Sequence, residues 1–161
     1  MRWNCSGGTP LDSIELHPDF RDFLSLLNEH RAEYLVIGGY AVNAHGYSRP
    51  TGDLDVWVAI SPDNAERVFD VIVAFGFGTP DLSRESLLTP GRIVRMGLQP
   101  VCIEVCNTID GVHFAECQRR AVVVEVAGVA VPFIGLADLR QNKKSSGRMK
   151  DLVDLDYLPK P

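Results

Sequence analysis

The stretch GGYAVNAHGYSRPTGDLDVWV, residues 38–58, sets the class of this chain. Asp53 and Asp55 stand two apart at the start of an apolar run. Residues two apart on a strand share a face, so the two carboxylates point the same way, and Leu54, Val56 and Val58 face the opposite, buried side. Paired carboxylates repel unless solvent, a base or a cation compensates. A hard divalent ion such as Mg²⁺ does so directly, because it prefers carboxylate oxygens. Upstream, an apolar strand runs into Gly38-Gly39 and on into a brief helix ending at Gly46. Glycines let an anion approach the backbone, and a helix start offers free N–H donors. An anion site followed by an acidic pair about fifteen residues on is the combination that handling a nucleoside triphosphate requires.

A third acid extends the pattern. Glu104 sits inside the apolar run PVCIEVC. A glutamate buried alone in such a run is costly, so it calls for a partner or a metal. If its strand lies beside that of Asp55, three carboxylates meet.

Outward from these motifs the chain alternates helix and strand signals without internal repeats. The apolar stripe Phe20, Phe23, Leu24, Leu26 and Leu27 predicts a helix from Pro18. Strands are predicted over residues 34–39, 54–60, 93–96 and 101–106, the last two joined at GLQP. Ser61 as cap and Pro62 at the first position open an amphipathic helix to about Phe75. Residues 76–92 read as a long connection with some short helix, and residues 110–120 as a short helix. Residues 121–134 form a hairpin turning at Ala127-Gly128, and two helices close the chain around SSG. Residues 1–16 read as a loose tail and residues 17–161 as one domain. The expected fold is α+β: a mixed β-sheet with helices packed on it.

At 161 residues, 45% apolar and 23% charged, the chain is globular in composition, which excludes disorder and fibre. Its net charge of −5 argues against binding nucleic acid by general electrostatics, leaving only a local basic patch for that purpose. The longest apolar stretch is broken by Glu125 and Gly128 and is too short to span a membrane. The first ten residues lack the apolar run of a signal peptide, so a cytoplasmic location is expected. Cys5, Cys102, Cys106 and Cys117 form no CxxC pair and read as reduced, buried thiols rather than zinc ligands. His45 reads as a packing or capping residue, Trp57 as core, and Trp3 as part of the tail.

With these residues in view, the sequence resembles the nucleotidyltransferase superfamily of DNA polymerase beta-like fold. That family's glycine turn, acidic pair and third acid fall here on Gly38-Gly39, on Asp53 and Asp55, and on Glu104. The resemblance is to a small bacterial branch related to abortive-infection toxins. Its middle motif is matched by Arg49, Thr51, Asp53, Leu54 and Asp55, and its closing motif by Leu136, Asp138, Leu139, Asn142, Lys143, Gly147, Arg148, Lys150, Asp151 and Asp154. The likeness implies transfer of a nucleoside monophosphate from an NTP to an acceptor hydroxyl. Asp53, Asp55 and Glu104 would be the catalytic and metal-holding residues for Mg²⁺, with Mn²⁺ as an alternative ion. Gly38, Gly39, Arg49, Thr51, Lys143, Arg148 and Lys150 would serve the nucleotide. The implied acceptor is a tRNA, a protein or a small molecule, and a toxin opposed by an antitoxin partner is the implied setting. Two positions depart from the family pattern: Tyr40 stands where a phosphate-contacting Ser is common, and the third acid is Glu rather than Asp. The competing reading is a catalytically inactive module of the same fold that binds nucleotide or a protein partner.

Overall fold

The computed structural model describes residues 14–160. The tail expected over residues 1–16, with Trp3 and Cys5, therefore lies largely outside the described residues. Six helices and six strands follow in the order α1 (Pro18–Glu29), β1 (Tyr34–Ile37), α2 (Gly38–Ala44), β2 (Asp53–Val58), α3 (Pro62–Ala74), β3 (Ile93–Leu98), β4 (Val101–Cys106), α4 (Phe114–Arg119), β5 (Val122–Val126), β6 (Val129–Phe133), α5 (Leu136–Ser146) and α6 (Met149–Tyr157). A short 3-10 turn at Ser86–Leu88 is the only regular piece in the long connection.

The strands form one mixed sheet in the order β3-β4-β2-β1-β6-β5. Strand β2 is antiparallel to β1 and parallel to β4, while β1 is parallel to β6. The two end pairs are hairpins. One turns on Ala127 and Gly128, both at positive φ (51° and 80°). Such a turn matches the twist of the strands it joins.

Local signals explain the helix starts. The Ser61 hydroxyl accepts the Asn64 N–H at 3.1 Å, and Pro62 fills the first helical position. Leu24 of α1 lies with Val36, Leu54, Val131 and Phe133 around a small apolar void, so α1 covers the sheet face opposite Asp53 and Asp55. On the acidic face, Trp57 is buried edge-on against Phe114 of α4. Residues of α5 and α6 border the cavity over the carboxylates.

Three strands differ from expectation at their boundaries. The chain leaves β1 at Ile37, because Gly38 adopts φ +68° and opens α2 instead of extending the strand. Strand β2 starts one residue early, since Asp53 pairs with Cys102, and stops at Val58, where the pairing with Tyr34 ends. Strand β3 reaches Leu98, paired with Val101, so only Gln99 and Pro100 form the turn.

Candidate active site

A row of four side chains crosses the sheet. Arg95 on β3 is in register with Glu104 on β4, Glu104 with Asp55 on β2, and Asp55 with Ile37 on β1. In-register neighbours share a face and lie about 5 Å apart at Cβ. Asp53, two residues before Asp55, occupies the next row beside Cys102. All three carboxylates thus border one face, and they line a polar cavity of about 530 Å³.

Their surroundings differ. Asp53 accepts a hydrogen bond from Gln99 Nε2 at 3.0 Å. Glu104 Oε2 accepts from Arg95 Nε at 3.0 Å. Asp55 is pushed up to about 6 by burial first, then by the charges of Glu104 and Asp53, with Lys150 and Lys143 pulling weakly the other way. Among the described residues, no hydrogen bond contributes to this shift. Among the described residues, no three His, Cys, Asp or Glu side chains are gathered tightly enough to form a ready-made cage for an ion. The donor set still suits a hard divalent cation: all its atoms are carboxylate oxygens, and the middle acid is held high by burial and then by its two acidic neighbours.

The glycine pair makes this closeness possible. A Cβ on Gly38 would fall onto Asp55 Oδ2, and its φ of +68° is one that L side chains rarely adopt. A Cβ on Gly39 would strike Thr51 Oγ1 and approach Arg49 Nη1. Thr51 is therefore packing beneath the glycines; it does not line the cavity, and no hydrogen bond from its hydroxyl is found among the described residues. Tyr40 turns its ring into the core, edge-on to Phe20. Its phenol is pushed up by burial and then by the Asp53 charge.

The opposite wall is a buried ion network joining α5, α6 and the turn before β2. Asp154 accepts from Arg49 Nε at 2.9 Å and from Arg49 Nη2 at 3.0 Å, and pairs with Lys143 Nζ at 3.0 Å. Lys143 also donates to Asp151 at 2.8 Å, and Arg148 Nε donates to the same carboxylate at 2.8 Å. Burial alone would raise Asp151, but hydrogen bonds from Lys143, Ser146 and Arg148 override it and bring it down to about 2. Lys143, Asp151 and Asp154 are each less than 5% exposed. Lys150 joins none of these pairs; it is exposed, lines the cavity, and its charge reaches Asp55.

Of the residues singled out from sequence, Gly38, Gly39, Arg49, Asp53, Asp55, Glu104, Lys143, Arg148 and Lys150 all border this cavity, and Thr51 does not. Helical spacing leads one to expect Asp151 and Asp154 to pair with Arg148 or Lys150; Asp151 does hold Arg148, whereas Asp154 holds Arg49 and Lys143. Cys106, expected in the core, also reaches the cavity wall. Burial, then Asp55 and Glu104, push its thiol up to about 12. His45 is a packing residue: buried, with Nε2 against the Ile134 carbonyl at 2.7 Å. Arg95 and Gln99 are missed by the motif search. Counting outward from the β3–β4 turn places Arg95 opposite Glu104, which is the signal that finds it.

No protein-family model matches the chain, and no curated protein matches it. Among solved structures, it is similar to the crystal structure of "a putative nucleotidyltransferase (TM1012) from Thermotoga maritima", with a TM-score of 0.59 and 13% identity. The match covers 90% of this chain and 95% of the other. The chain has a nucleotidyltransferase-like fold. At this identity the likeness is one of fold; the chemistry rests on the chain's own residues. No helix of the described residues is long and apolar enough to cross a membrane.

Proposed function

We propose that this protein is a Mg²⁺-dependent nucleotidyltransferase, moving a nucleoside monophosphate from an NTP to an acceptor hydroxyl. The observation that carries the reading is the carboxylate row: Glu104 in register with Asp55, and Asp53 two residues away on the same face, all bordering one polar cavity. A volume of about 530 Å³ is in the range of small-ligand clefts.

Asp53 and Asp55 would hold the divalent ion, and Glu104 would join them or take the proton of the attacking hydroxyl. When bound, the ion supplies positive charge to the triphosphate and to the leaving pyrophosphate. The hydroxyl oxygen forms a bond to the α-phosphorus as the bond to pyrophosphate breaks, and the hydroxyl proton leaves to the base. Gly38 and Gly39 border the cavity, so phosphate could reach the backbone there. Lys150 and the exposed guanidinium of Arg148 line the cavity and would face the phosphates, whereas Lys143 and Arg49 hold the wall through Asp151 and Asp154.

The acceptor and the setting rest on the sequence resemblance: a tRNA end, a protein side chain or a small molecule as acceptor, and a toxin paired with an antitoxin. Of the acceptors, tRNA has the weakest physical support. Of the basic residues that could form a patch (Arg119, Arg120, Lys143, Lys144, Arg148 and Lys150), half are already partnered: Arg120 with Asp138, Lys143 with Asp151 and Asp154, and Arg148 with Asp151.

A second reading, a module that binds nucleotide or a partner without chemistry, is favoured by two observations. Tyr40 is folded into the core where family members commonly offer a phosphate-contacting Ser, and Glu104 is engaged by Arg95. One experiment separates the two: α-labelled NTPs with Mg²⁺ or Mn²⁺ across RNA, protein and small-molecule acceptors. Label transfer that needs the ion and is lost in Asp55→Asn supports the enzyme. Nucleotide binding without transfer to any acceptor supports the module.

A further inference from the structure

The two outer carboxylates of the site are both held from the sheet edge. Arg95, on the edge strand β3, donates to Glu104, and Gln99, in the turn that follows, donates to Asp53. Asp55, between them, has no such donor among the described residues. The guanidinium occupies Oε2 of Glu104 and offsets its charge, so while Arg95 holds it only Oε1 is left for an ion shared with Asp55, and the pull of Glu104 on that ion is weakened. The hold is weak: the Arg95 side chain is 71% exposed and that of Glu104 29%, and exposed pairs are marginal. Arg95 also lines the cavity itself. Its planar fork of donors matches phosphate oxygens when released.

We propose that Arg95 is an exchange residue: it stands in for the cation at Glu104 in the metal-free protein, and it turns to the phosphates of the NTP once Glu104 is drawn to the ion. This role rests on the nucleotidyl-transfer reading above. It makes Arg95 a competitor of the metal and a ligand of the nucleotide, so its removal moves the two affinities in opposite directions. A purely structural arginine would move both the same way or neither.

The test is binding, without turnover. Mn²⁺ affinity is measured by water proton relaxation for the wild type, Arg95→Gln and Arg95→Lys. Affinity for a non-hydrolysable NTP analogue is then measured with Mn²⁺ present. Arg95→Gln is expected to bind Mn²⁺ about two- to fivefold more tightly, the span that an exposed pair allows. It is expected to bind the analogue about tenfold more weakly, as loss of a charge-assisted fork implies. Arg95→Lys, which keeps the charge but not the fork, falls between the two for the analogue. Melting curves of all three should coincide, because the side chain is mostly in solvent. Unchanged or weaker Mn²⁺ binding in Arg95→Gln, or unchanged analogue binding, overturns the role of Arg95 while the wild type still binds both. If neither the wild type nor the variants bind Mn²⁺ or the analogue, the nucleotidyl-transfer reading fails, and this inference with it.

Discussion

Replacing Asp55 by Asn makes the metal-free protein more stable, by an amount that depends on pH. Asp55 titrates near 6 instead of 3.8 because burial and then the charges of Glu104 and Asp53 oppose its ionisation. A shift of that size corresponds to about 3 kcal/mol. Asp55 is only partly buried, so solvent trims the figure to about 2 kcal/mol. The sign follows from linkage. The folded state prefers the protonated form, so the stability it gains is complete below 3.8 and is lost as pH rises through 6. Asparagine cannot ionise and sacrifices no hydrogen bond, so it escapes that loss. Urea unfolding of wild type and Asp55→Asn, without divalent ions, should therefore coincide near about pH 4 and diverge to about 2 kcal/mol at about pH 8, with the variant the more stable. In a melt of a chain this size the gap is about 4–8 °C. Millimolar Mg²⁺ should then raise the wild type and leave the variant where it is, because only the wild type gains a ligand. A difference independent of pH, or a variant less stable than wild type at pH 8, would refute the reasoning that burial and its acidic neighbours oppose the ionisation of Asp55.

Other consequences follow from the same geometry. Lys143→Met leaves Asp151 and Asp154 buried with fewer partners and should cost about 3–5 kcal/mol in urea unfolding. Arg148→Ala, whose side chain is 69% exposed, should cost less than about 1 kcal/mol. Gly38→Ala meets both a positive φ and the Asp55 carboxylate, so it should lose about 1–3 kcal/mol and weaken Mn²⁺ binding. Cys106 and Cys117, raised to about 12 and 11 chiefly by burial, should stay unalkylated at neutral pH in the folded chain when labelled peptides are mapped by mass spectrometry.

The elements with local signatures were readable from the residues. Ser61 and Pro62 fix the start of α3, Ala127-Gly128 fix the β5–β6 turn, and alternation puts Asp53 and Asp55 on one face of β2. The order of strands was not readable, because it depends on which apolar edges find each other over long separations. The site shows the same division. Its acids and glycines announce themselves by spacing, but the wall behind them does not: Arg49 and Asp154 are 105 residues apart, and only the packing of α6 against the turn before β2 joins them. Helical spacing offered Asp154 a nearer cation in Lys150, yet the buried position of Asp154 favoured the fixed fork of Arg49 together with Lys143. Gly38 and Gly39 looked like a strand end opened for phosphate. Their first physical duty is to make room for Asp55 and Thr51.

The central claim is that Asp53 and Asp55 hold a divalent ion that carries a nucleoside triphosphate. Its most direct test is anomalous diffraction from crystals grown with Mn²⁺ and a non-hydrolysable NTP. The account predicts a manganese peak at about 2.2 Å from oxygens of both Asp53 and Asp55, with phosphate oxygens completing its shell. A nucleotide seated elsewhere, or an ordered site with no peak between those two carboxylates, would contradict it.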